Sequence, residues 1–157
     1  MKHLKLFEEL INEIGDASAK PYKWKWTNPN YRTYSTFKTD SGLQYEVNTD
    51  IVDNTDWDGG VELTIEYGVD TKASSGATTT DYKVVTNRGE MFRVMATIVD
   101  IVKTLLKKRP DVEFLEFQGS KNKDGDQRRN KLYMAYINKH LKPKNIEDDG
   151  TTITVEL

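Results

Sequence analysis

Residues 87–110 read NRGEMFRVMATIVDIVKTLLKKRP, and this stretch decides the architecture. Met91, Phe92, Val94, Met95, Ile98, Val99, Ile101, Val102, Leu105 and Leu106 cover most of the circumference of a helix. A helix that apolar is mostly buried, unlike a one-sided surface amphipath. Asn87 is placed to cap its start, and Glu90 falls at the third position of a capping box. Lys107, Lys108 and Arg109 suit the negative end of the helix dipole, and Pro110 stops the helix. The spacing predicts a helix over 88–108 with Met95, Ile98, Val102 and Leu105 almost fully buried. The β-rich runs DYKVVT (81–86) and VEFLEF (112–117) flank it. A strand, a helix and a strand in that order predict a parallel pair joined by a right-handed crossover.

Toward the N-terminus, HLKLFEELINEI (3–14) has helical apolar spacing, and Gly15 ends it. Residues 16–31 contain Pro21 and Pro29 and read as an irregular connection. RTYSTFK (32–38), LQYEVNT (43–49) and VELTIEY (61–67) read as strands; Leu43, Tyr45 and Val47, then Val61, Leu63, Ile65 and Tyr67, alternate inward. Asp40-Ser41-Gly42 and Asp58-Gly59-Gly60 supply turns. The small and polar residues of 70–80 read as a flexible hairpin loop. Toward the C-terminus, 118–126 is a polar loop. Asp124 or Asp126 can cap a helix over 127–141 that turns Leu132, Tyr133, Tyr136, Ile137 and Leu141 inward. Residues 144–148 and 151–157 flank Asp149-Gly150, a hairpin signal. The reading is one α+β domain over 1–157: a mixed, mostly antiparallel sheet with a long buried helix and a second helix.

Composition narrows the function. Hydrophobic residues are 36% and charged residues 31% of the 157, with a mean hydropathy of −0.71. Sixteen aromatics and runs of Val, Ile and Leu still suffice for a core. The absence of cysteine excludes disulfides, thiolate catalysis and Cys-ligated metals, and two histidines make a poor metal set. No apolar run approaches membrane-spanning length, so a cytoplasmic protein with no membrane partner is expected. The net charge of −2 is unevenly spread: +3 over 1–38, −9 over 39–81 and +4 over 82–157. The acidic middle reads as a solvated sheet face or, alternatively, as a docking surface for a basic partner.

Three stretches bear on chemistry. Between Lys20 and Lys38 aromatics and bases interleave without an acid: Tyr22, Lys23, Trp24, Lys25, Trp26, Tyr31, Arg32, Tyr34, Phe37. Aromatic platforms with bases suit single-stranded nucleic acid, but period-2 alternation also describes a half-buried strand with the rings inward. KNKDGDQRRNK (121–131) has five bases; Arg128 and Arg129 open a helix, where anions are favoured. Trp24, Trp26, Lys121, Lys123, Arg128 and Arg129 are thus the nucleic-acid candidates. Asp50, Asp53, Asp56 and Asp58 lack calcium-loop spacing, so no metal site is expected. Walker A, nucleophile-elbow and dinucleotide patterns are absent.

The run Asp81–Leu157 resembles the C-terminal half of the GNAT (acyl-CoA N-acyltransferase) fold, through its strand, helix, strand, second helix and closing strands. Arg129-Asn130-Lys131-Leu132-Tyr133 is similar to the Leu-Tyr element of that family's second helix. The same region, from Glu116-Phe117 to Tyr133, resembles small uncharacterised tailed-phage proteins. The resemblance implies that Tyr133 would protonate the departing CoA thiolate and that Arg88, Gly89 and Arg93 would lie at an acetyl-CoA pyrophosphate. Aligned there, Met91 and Arg93 stand where the family needs small residues. Side chains at those positions obstruct a backbone phosphate cradle. The resulting expectation is a divergent GNAT-like, phage-encoded protein, non-catalytic, without cofactor, acting through a protein partner in the bacterial host cytoplasm. An N-acetyltransferase with an atypical loop is the second reading, and a single-stranded nucleic-acid-binding module the third.

Overall fold

The apolar run forms helix α1 (Arg88–Lys108). Met95, Ile98 and Val102 are fully enclosed and Leu105 nearly so, as the spacing predicts. The computed structural model describes residues 19–28, 31–57, 59–72, 78–81, 88–118, 128–149 and 152–157. The expected helix over 3–14, the Asn87 cap and the Asp124 or Asp126 cap lie outside them.

Among the described residues eight strands form one sheet: β1 (Trp24–Asn28), β2 (Tyr31–Lys38), β3 (Gln44–Asp53), β4 (Val61–Lys72), β5 (Thr78–Asp81), β6 (Val112–Gln118), β7 (Asn145–Asp148) and β8 (Thr152–Glu156). Their order is β1-β2-β3-β4-β6-β8-β7, with β5 on β4; β4 and β6 run parallel and the other described pairs antiparallel. The second helix is α2 (Arg128–Leu141), with Tyr136 and Ile137 buried. It leaves through Lys142, whose φ of 47° is the left-handed exit of a helix C-terminus. Alternating residues of the strands and the inner sides of both helices make one hydrophobic cluster, so both helices lie on the same sheet face. A mixed, mostly antiparallel α+β sheet with one long buried helix is therefore the observed fold.

Three expectations need correction. The 16–31 stretch is not irregular throughout, because β1 occupies 24–28. Its alternation outweighs the flanking prolines: Tyr22 is buried, Trp24 and Trp26 half-buried, Lys23 and Lys25 exposed. The presumed loop over 70–80 begins and ends as strand, since β4 reaches Lys72 and β5 starts at Thr78. Finally, the strand before α1 is not the parallel partner of β6. Of the expected strand over 81–86 only Asp81 is among the described residues, as the last residue of β5, which runs antiparallel on β4; both edges of β6 are taken, by β4 and β8. β4 is twelve residues long, enough to give one edge to both β5 and β6. Val61–Ile65 face β6 and Val69–Lys72 face β5.

An aromatic ladder crosses the helix-covered face. Tyr22 stacks on Phe37 at 6.0 Å, Phe37 on Tyr45 at 5.1 Å, and Tyr45 on Tyr67 at 6.4 Å. The Tyr22 backbone N–H donates to the Thr97 hydroxyl at 2.8 Å, and that hydroxyl donates to the Arg93 carbonyl at 2.6 Å. The segment leading into β1 is thereby tied to α1 across 75 residues of sequence.

Candidate functional site

The first turns of α1 are where a phosphate cradle would lie, and here they carry a strap. The β2–β3 turn passes through Gly42, whose φ of 91° suits glycine. Glu90 grips this turn with both carboxylate oxygens, accepting from Ser41 N–H at 2.6 Å and from its hydroxyl at 2.8 Å. Arg93 donates through Nε to the Lys20 carbonyl and through Nη1 to Asp40 Oδ2, each at 3.0 Å. Its guanidinium also lies 3.9 Å over the Tyr22 ring. Arg93 thus has a carbonyl, a carboxylate and an aromatic face as partners. Met91 packs partly against the core, and Phe92 is buried in it. Arg88 and Gly89 form the first turn of α1, but their side-chain environment lies outside the described residues.

Tyr133 is on the first half of α2, and Arg128 and Arg129 open that helix; the surroundings of these side chains are likewise outside the described residues, as are Lys121 and Lys123 altogether. Trp24 and Trp26 turn toward α1. Trp24 Nε1 donates to Asp100 Oδ2 at 2.8 Å, and the two indoles meet edge-on at 5.0 Å. Among the acids of 50–58, Asp53 accepts from the Thr55 N–H and hydroxyl, at 3.0 and 2.6 Å, which holds its carboxyl below the usual range. Among the described residues no three ligating side chains converge on a metal position.

The sheet face away from the helices holds a feature that sequence reading missed. Two adjacent rows cross β3, β4, β6, β8 and β7. One reads Asp50, Thr64, Glu116, Thr154, Glu147, and the next Val52, Glu62, Phe114, Glu156, Asn145. Each strand's alternation signals one member, but only the long-range register brings them together. Gly60 makes room beside this patch: a Cβ there would come within 2.8 Å of the Phe114 ring and would also crowd Glu113. Burial raises the Glu62 carboxyl, and the negative charge of hydrogen-bonded Glu116 raises it further. Nearby on β3 and β4, burial raises Glu46 and Asp70 too, with Asp70 adding to the rise at Glu46.

A raised carboxyl binds its proton more tightly in the folded chain than in the unfolded one. Its contribution favours folding below the ordinary glutamate range and is lost as pH climbs through the raised value. Glu62→Gln removes this penalty. It should raise stability by about 0.5 kcal/mol at pH 7, the scale of a like-charge cross-strand pair. Below pH 4 the gain should vanish, because Glu62 is already protonated there. Urea unfolding at the two pH values checks this; an equal gain at both would assign the effect to packing.

Comparison with known proteins adds one family. No curated protein matches the chain, and no solved structure does. Residues 63–150 match the model of a family described as "Family of unknown function (DUF6934)". The match runs from within β4, through both helices, to the β7–β8 turn, and leaves out β1, β2 and β3. Because it spans more than half of the sequence, the chain belongs to the DUF6934 family.

Proposed function

We propose that this is a GNAT-like protein of divergent kind, phage-encoded and working in the bacterial host cytoplasm, that acts by holding a protein partner and not by acyl transfer. The order of elements supports the fold part of this reading: β4 and β5, then α1, β6 parallel to β4, α2 carrying Tyr133, and the β7–β8 hairpin. The observation that carries the functional part is the strap. A CoA pyrophosphate needs converging backbone N–H groups at a helix start and no competing anion. At α1 the Glu90 carboxylate already occupies the first turn, and Arg93 is directed to Lys20, Asp40 and Tyr22.

Isothermal titration with acetyl-CoA at submillimolar concentration should therefore give no binding heat, and no acetyl transfer should depend on Tyr133. A micromolar one-to-one complex, weakened by Arg88→Ala or Arg93→Ala, would instead make the chain an acetyltransferase with an atypical loop.

A further inference from the structure

We infer that the sheet face away from the helices docks a Lys/Arg-rich segment of a protein partner. This deepens the partner-binding reading and rests on it. The two rows described above hold five carboxylates, Asp50, Glu62, Glu116, Glu147 and Glu156, and no base. Among the described residues none of the five has a basic partner at ion-pair distance. Like charges on neighbouring strands repel, and a face that meets only water is better served by mixed signs. Glu62 and Glu116 lie diagonally across neighbouring strands β4 and β6, which places two carboxyl groups at the centre of the patch.

The second observation is apolar. Phe114 is half-buried between Glu62 and Glu156 in its row, and Val52 is exposed at the row's end. Acids around a hydrophobic strip match the lysine and arginine side chain, whose stem is apolar and whose head is cationic. Five strands at about 4.8 Å spacing make the patch about 19 Å across, enough for several residues of a bound segment. The two described helices lie on the opposite face and leave the patch uncovered by them. The same charge repels phosphate, so the complementary partner is a basic polypeptide and not a nucleic acid.

The test is a titration of the ¹⁵N-labelled full chain with nonaarginine, and with nonaglutamate as the opposite charge. Nonaarginine should shift the amides of Glu62–Glu66, Phe114–Glu116 and Thr154–Glu156, with affinity falling as salt rises; nonaglutamate should shift none of them. Glu62→Gln combined with Glu116→Gln should weaken binding about tenfold through the lost charge pairing. The unfolding measurement for Glu62→Gln, extended to the double variant, confirms that it is folded. Shifts confined to the helices, no shifts, or an unchanged affinity in the double variant would overturn the proposal. So would sedimentation showing that a second copy covers this face. Failure here together with silence toward acetyl-CoA would remove this surface and leave the partner reading; a tight acetyl-CoA complex would remove the reading itself.

Discussion

Truncating Ile98 to alanine should cost the fold about 2–5 kcal/mol, the range for large-to-small changes at enclosed positions. Ile98 lies midway along α1 and has no exposed surface. It shares the core with Val47, Leu63, Ile65, Leu115, Ile153 and Val155, all essentially fully enclosed on the sheet side. An enclosed site of this kind cannot readily collapse around a missing side chain. The loss therefore includes a cavity contribution as well as the lost transfer free energy. Urea unfolding should show a lower midpoint with an unchanged slope, because the surface exposed on unfolding barely changes. Leu106→Ala is the internal comparison: Leu106 is only partly buried against the same cluster and should cost less. A loss below about 1 kcal/mol at Ile98 would place α1 at the periphery and contradict the architecture.

The contrast between α1 and β1 explains how far the sequence could be read. The apolar pattern of α1 is so broad that burial was legible residue by residue. β3 and β4 were legible through strict alternation, although both run further than the hydrophobic residues alone suggest. β1 and the residues leading into it carry the same alternation at Tyr22, Trp24 and Trp26, but Pro21 and Pro29 point toward a loop. Pairing at a distance was the harder problem. Periodicity shows that a strand exists, not which strand it lies beside, and so β6 was assigned to the strand just before α1 instead of to β4. The strap was hidden for the same reason, because Arg93 meets partners 53 and 73 residues away. So was the acidic patch: Glu62 and Glu116 become diagonal neighbours on one sheet face only because the β4–β6 register shifts by one residue near Val61.

Trp24→Ala should be the second costly substitution, and it bears on whether the aromatic–basic stretch serves structure or nucleic acid. The indole is half-buried, so the 3–5 kcal/mol typical of a fully buried Trp→Ala change is reduced here to about 2–4 kcal/mol. Part of that loss comes from Asp100, which gives up the donor now 2.8 Å from its Oδ2, and part from the edge contact with Trp26. Trp24→Phe keeps an aromatic ring but removes the N–H and part of the indole's contact area; it should cost less than Trp24→Ala, about 1–3 kcal/mol, one hydrogen bond plus some lost packing. Stacking a nucleobase needs a free aromatic face, at about 1–3 kcal/mol per base. Trp24 spends its ring on Trp26 and its N–H on α1, while among the described residues Lys23, Lys25 and the lone aromatic Tyr34 are the exposed members of the aromatic–basic set. Gel shifts with single-stranded DNA or RNA should therefore show only weak, salt-sensitive binding, in which the lysines act on phosphate and the indoles contribute nothing. Sub-micromolar binding at physiological salt, lost in Trp24→Ala while the variant remains folded by circular dichroism, would reverse this assignment. The indole would then have to leave α1 to meet a base, and Trp24→Phe would retain binding because its ring can still stack.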